Sequence, residues 1–280
     1  MFRECYVFGG VTFALESDVP FDPVGMCSPF ACGNVAADHT VGVSYSGVLP
    51  CVPAGAMKSG IITRWYDGGA RHTLRLYDAS VRLRFSYAVS RGQRTDVVFA
   101  ESYRSTVTSR AIFEAAGLFE LLADAGMPVL HSSYIISDGR AILFSGPSGI
   151  GKSTQAALWE KYCGAVTVNG DRTLIDPAAG TANGIFYAGT SGICKNITAP
   201  LRAVVILRRG GHTELRRAEP RESFKAILCQ SAYYSWDPVS VDRMTELAAR
   251  VVNGTEIFCM DCPPDRDSVL MLDDELRKER

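Results

Sequence analysis

The sequence predicts an α/β (α+β) protein: a β-rich accessory region over residues 1–105, then a mixed strand-and-helix domain over 106–280 built on a phosphate-binding loop. Three observations carry this. Short segments rich in β-branched and aromatic residues, punctuated by Gly, Asp, Pro and Ser, fill the first part. Near Ser105 the apolar spacing changes from that of a strand to that of a helix. And Gly146–Ser153 matches G-x-x-x-x-G-K-[ST] at every position, between a buried apolar run and a helical pattern.

In the first part, strands are expected at Tyr6–Phe8, Val11–Ala14, Val41–Tyr45, Thr73–Tyr77, Val81–Val89 and Val97–Ala100. Arg82, Arg84 and Ser86 alternate with Val81, Leu83, Phe85 and Tyr87, the period of a half-buried antiparallel strand. A mostly antiparallel sheet follows. Ile112, Ala116 and Phe119 then recur at helical spacing and predict a helix over Ser109–Ala125, ended by Gly126 and Pro128. Strands are expected at Val129–Ser137, Ala141–Ser145, Ala165–Asn169 and Val204–Arg208, with a helix over Lys152–Tyr162. Asp176–Pro200 reads as irregular, a natural substrate loop. Ser240 is expected to cap a helix closed by Gly254, and Val269, Leu272 and Leu276 mark one face of a last helix.

Composition narrows the function classes. The net charge of −1 comes from 29 basic and 30 acidic residues without a basic run, which argues against nucleic-acid or anionic-membrane partners. No apolar window reaches the length of a membrane span, and the first residues do not read as a secretory signal, so a cytoplasmic location is expected. Nine scattered cysteines fit reduced thiols. Cys259 and Cys262 form a lone C-x-x-C without a second pair or a nearby histidine, and read as part of a strand.

The loop motif has a physical reading at each position. Gly146, Pro147, Ser148, Gly149, Ile150 and Gly151 would turn backbone amides toward phosphate oxygens. Lys152 would reach the β- and γ-phosphates of ATP, Ser153 would place its hydroxyl on Mg²⁺, and Thr154 would continue the binding segment. Asp171, at the carboxyl end of the next strand, could ligate the metal or act as general base; a turn former in Asn-Gly-Asp is its structural alternative. His131 lies fifteen residues ahead of Gly146, where a lone histidine is more often a structural hydrogen-bonder. Arg172 and Lys195 are candidate anion contacts, Arg172 for transferring phosphoryl charge and Lys195 for substrate, against a reading as solvated surface charge.

His131-Ser132, Gly146–Ser153 and Gly170-Asp171 together resemble the kinase domain of bacterial HPr kinase/phosphorylase, built on the phosphoenolpyruvate carboxykinase core. The segments Gly189–Asn196, Ala199–Val205 and Cys262–Asp265 look closer to a branch associated with peptide natural-product pathways. The resemblance covers about residues 106–280. It implies a Mg²⁺- and ATP-dependent kinase with a hydroxyl acceptor, either Ser/Thr of a peptide or a small metabolite. Catalytic roles would fall to Asp171, His131, Lys152 and Arg172; a homo-oligomer is possible. Gly170 replaces one residue of the family's acidic pair, and Thr154 replaces an acidic residue common after the loop serine. A signature segment linked to phosphate removal has no counterpart, so HPr itself is not the expected acceptor. The alternative is a nucleotide-binding sensor or assembly module without catalysis.

Overall fold

The computed structural model describes residues 1–20, 25, 27–48, 50–76, 85–263 and 265–278. The expected strand positions Tyr77 and Val81–Arg84, with most of the alternation read there, lie outside the described residues. The chain divides into two compact units, Met1–Leu121 and Leu122–Arg280.

In the first unit the strands are β1 (Phe2–Phe8), β2 (Val11–Ser17), β3 (Ala31–Cys32), β4 (His39–Ser46), β5 (Met57–Ser59), β6 (Ile62–Asp67), β7 (Ala70–Leu76), β8 (Phe85–Arg91) and β9 (Arg94–Ala100). They form one sheet in the order β3-β1-β2-β4-β9-β8-β7-β6-β5. Most pairings are antiparallel, as expected, but β4 runs parallel to both β2 and β9. The chain between β2 and β4 is too long for a hairpin, and a parallel neighbour requires such a crossover. Helix α1 (Ser109–Ala116) lays Phe113 against Tyr6, Phe8 and Phe13, edge-on to Tyr6 at 5.3 Å. Edge-to-face packing of this kind adds to the burial of the rings themselves. The helix expected over Ser109–Ala125 is broken by Gly117 into α1 and α2 (Leu118–Asp124).

The second unit holds β10 (Val129–Ser137), β11 (Arg140–Ser145), α3 (Lys152–Cys163), β12 (Val166–Asn169), β13 (Arg172–Asp176), β14 (Thr181–Asn183) and β15 (Thr198–Arg209). After these come β16 (Glu214–Arg217), α4 (Pro220–Gln230), α5 (Pro238–Gly254), β17 (Glu256–Cys262) and α6 (Arg266–Arg277). Strand β15 lies at the centre, parallel to β11 on one side and to β17 on the other. Its inner residues are apolar on both faces, because helices cover both. Ala203, Val205 and Leu207 pack with Trp159 of α3 and Val269 and Leu272 of α6. Val204 faces Ile227 of α4 and Ala248 and Val251 of α5. The expected face of the last helix is therefore buried as read.

Two expectations change. Asp176–Pro200 is not irregular throughout: β14 pairs with both β13 and the start of β15, satisfying its backbone within a sheet. And α5 is capped by Asp237, whose carboxylate accepts from the Val239 amide. Ser240 instead accepts from the Tyr234 amide. Asp237 and Pro238 supply the cap and first-turn proline that favour a start there. Among the described residues no helix is long and apolar enough to cross a membrane.

Candidate functional site

Strand β11 delivers the chain to the loop through Ser145, whose hydroxyl donates to the His131 carbonyl at 2.9 Å. Gly146 is buried at φ 144°, and a Cβ there would stand 3.2 Å from the Leu207 carbonyl. Only glycine passes between β11 and β15 at this point. The loop ends at Gly151, which caps α3 with φ 114° and contributes no side-chain bond to the helix amides. The first turn of α3 thus keeps amides that no capping side chain takes, with the positive end of the helix behind them.

Lys152 is 7% exposed. Its ammonium donates to the Gly146 and Pro147 carbonyls at 2.9 and 3.1 Å. Burial holds its pKa below the usual lysine value, and Arg172 adds to this while Asp171 opposes it. Ser153 and Thr154 are exposed on the first turn, as are Pro147, Ser148 and Gly149 on the loop; Ile150 is half-buried.

Asp171 is placed by a different device. Asn169 at the end of β12 is fully buried, and its carbonyl oxygen accepts from the Asp171 and Arg172 amides at 2.9 and 3.0 Å. Its amide nitrogen donates to the Ile185 carbonyl. The Ser132 amide donates to the Asp171 carbonyl and the Ser133 hydroxyl to the Gly170 carbonyl, both at 3.1 Å. The turn is therefore held from β12 and β10 together. A Cβ on Gly170 would lie 2.1 Å from the Ser191 hydroxyl oxygen, so no larger side chain fits unless Ser191 moves.

The Asp171 carboxylate stands 3.3 Å from His131 Nε2 and 3.4 Å from Arg172 Nε. Burial lowers the His131 pKa, and the charges of Lys152 and Arg172 lower it further. Asp171 and a hydrogen bond with the Gln230 side chain act against them. A neutral imidazole beside a carboxylate can orient that carboxylate without titrating it away.

The structure thus brings four of the sequence-predicted residues together, His131, Lys152, Asp171 and Arg172, beside the Gly146–Ser153 loop. Lys195 is exposed; its backbone amide donates to the Val168 carbonyl at 3.0 Å, and among the described residues no ion pair joins it to the cluster. Sequence reasoning missed the work of Asn169, Ser145 and Gln230. For Asn169 a signal existed: asparagine two residues ahead of an acidic turn residue is the mark of a side-chain-closed turn.

Magnesium and a nucleoside triphosphate fit the donor set. The α3 amides without a side-chain cap and the Lys152 ammonium suit a polyphosphate, and the Ser153 hydroxyl and Asp171 carboxylate are hard oxygen donors. Among the described residues no three His, Cys, Asp or Glu side chains form a metal cluster. A cation here would take its remaining ligands from phosphate and water.

No family model matches the sequence, and no curated protein does. Among solved structures, the chain is similar to one titled as the Hpr(Ser) kinase/phosphatase from Coxiella burnetii, with 14% identity and a TM-score of 0.28. The match covers 54% of this chain and 92% of that one. A likeness this slight carries no argument for fold or activity.

Proposed function

We propose that Leu122–Arg280 carries an ATP- and Mg²⁺-dependent kinase site that transfers the γ-phosphoryl group to a hydroxyl acceptor. One observation supports it most: a buried lysine at a strand–loop–helix turn shares its surroundings with a carboxylate held between a histidine and an arginine. Ser/Thr of a peptide is the first choice of acceptor and a small hydroxylated metabolite the second. That choice follows the resemblance of the sequence to the HPr-kinase group and its peptide-pathway branch.

The roles follow from the chemistry. The loop amides and Lys152 would bind the phosphates and hold their charge. Bound magnesium would neutralise the β- and γ-phosphate oxygens, and Ser153 and Asp171 are the side chains that would hold it. Asp171 would accept the proton from the acceptor hydroxyl, or orient that hydroxyl toward the phosphorus. His131 fixes the carboxylate, and Arg172 offsets charge on the transferring group. Positioning and electrostatics can supply most of the rate gain in phosphoryl transfer.

The non-catalytic reading has one observation in its favour. The place of a second carboxylate is taken by Gly170, and Ser191 fills the space that such a side chain would need. Incubation with Mg-ATP and panels of peptides and small alcohols separates the two readings. The kinase reading expects transfer to a hydroxyl, lost in Lys152→Ala with the circular dichroism spectrum retained. Tight nucleotide binding without transfer to any acceptor in the panels would favour the sensor. Full transfer in Lys152→Ala would remove the kinase reading.

A further inference from the structure

A cavity opens against the same loop. It has a volume of about 400 Å³ and is walled by Ile150, Thr154, Gln155, Leu207, Arg209 and Pro263, among others. None of His131, Lys152, Asp171 or Arg172 lines it. The loop is thus served by a cluster of charge in one place and a partly apolar cavity in another. That volume lies within the roughly 300–1,000 Å³ of small-molecule sites, which combine apolar walls with a few polar groups.

We propose that this cavity receives the purine ring and ribose of the nucleotide, an inference that rests on the phosphate-binding reading of the loop. Continuity carries it. Ile150 and Gly151 belong to the loop, and Thr154 and Gln155 to the first turn of α3, so a ligand seated here adjoins the phosphate-binding amides. With the γ-phosphate directed to Asp171, the nucleoside must lie toward a different flank, and the cavity offers one. Ile150, Leu207 and Pro263 present apolar surface suited to the face of a ring. The Arg209 guanidinium reaches the loop, donating to the Gly149 carbonyl at 3.5 Å, and is exposed. A guanidinium at that rim can stack on a purine. The Thr154 hydroxyl is exposed on the cavity wall and can bond to ribose or base. Thr154 and Arg209 are then specificity-determining residues for nucleotide over bare polyphosphate.

Calorimetry with two probes in the presence of magnesium separates the claims: ATP, which uses loop and cavity, and inorganic tripolyphosphate, which uses the loop alone. Wild-type protein should bind ATP more tightly than tripolyphosphate. Thr154→Trp, which fills the cavity from an exposed position, and Arg209→Ala should each weaken ATP by about tenfold, or 1.4 kcal/mol. Tripolyphosphate affinity should hold in Arg209→Ala, which decides the matter if the tryptophan also disturbs the loop. Unchanged ATP affinity in Arg209→Ala, or equal affinity of wild-type protein for the two probes, overturns the cavity inference and leaves the loop reading intact. Failure of wild-type protein to bind either probe overturns the loop reading and this inference with it.

Discussion

Asn169 shows how one residue can shape a proposed site without belonging to it. Its buried carbonyl oxygen closes the turn that carries Asp171 and Arg172, while its amide ties that turn to the 185 carbonyl. Asn169→Ala leaves two backbone amides without their acceptor, at a cost of about 1–3 kcal/mol. We expect a lower denaturation midpoint and a kcat reduced about a hundredfold through displacement of Asp171, with the KM for ATP little changed. A KM effect alone would place Asn169 outside the acceptor side of the site. At this scale the sequence was legible where a motif fixes a residue's place, as with Lys152 at the loop-to-helix turn. It was least legible for Lys195, because its surroundings depend on how Gly184–Asn196 packs beside β12.

At the scale of elements, Gly117 turns what reads as one helix into two. Ile112, Ala116 and Phe119 keep helical spacing across it, and spacing alone does not reveal a left-handed residue. At φ 78° the glycine ends α1, and the Glu120 carboxylate that follows pairs with the fully buried Arg64. Gly117→Ala should destabilise the protein by about 1 kcal/mol or more in denaturant melts, since alanine is strained at positive φ. A stabilising effect would show that a continuous helix is accessible.

Strand β7 carries a second test. His72 stacks on Trp65 at 5.0 Å and bonds through Nδ1 to the Tyr87 hydroxyl at 2.7 Å. Burial lowers its pKa, with Asp67 opposing that shift and Arg91 adding to it. The unfolded chain, with an ordinary histidine near 6.5, binds the proton more readily. Stability from the neutral ring is therefore complete above about pH 6.5 and falls as pH drops through the folded value. His72→Gln should flatten the fall in melting temperature between neutral and mildly acidic buffer; an unaltered slope would assign that fall to other groups. Strong apolar runs such as β10 and β11 were readable because burial leaves them few alternatives. Strands β13 and β14 are too short to carry a period of their own, and α4 opens at Pro220 with no side-chain cap to mark its start.

For the molecule as a whole, Met1–Leu121 and Leu122–Arg280 each close a core of their own. The change from sheet-like to mixed composition is visible in the sequence. The two-sided covering of β15 is not, because it depends on which helices return to which face. The proposed chemistry lies wholly within Leu122–Arg280, and ligand binding there raises stability by mass action. The most direct test of the account is titration calorimetry of the full chain with ATP and magnesium, beside Lys152→Ala. We predict saturable one-site binding by the wild type that is lost or weakened at least about a hundredfold, near 2.7 kcal/mol, in the variant. Equal binding by folded wild-type and variant protein, or none by the wild type, would contradict it.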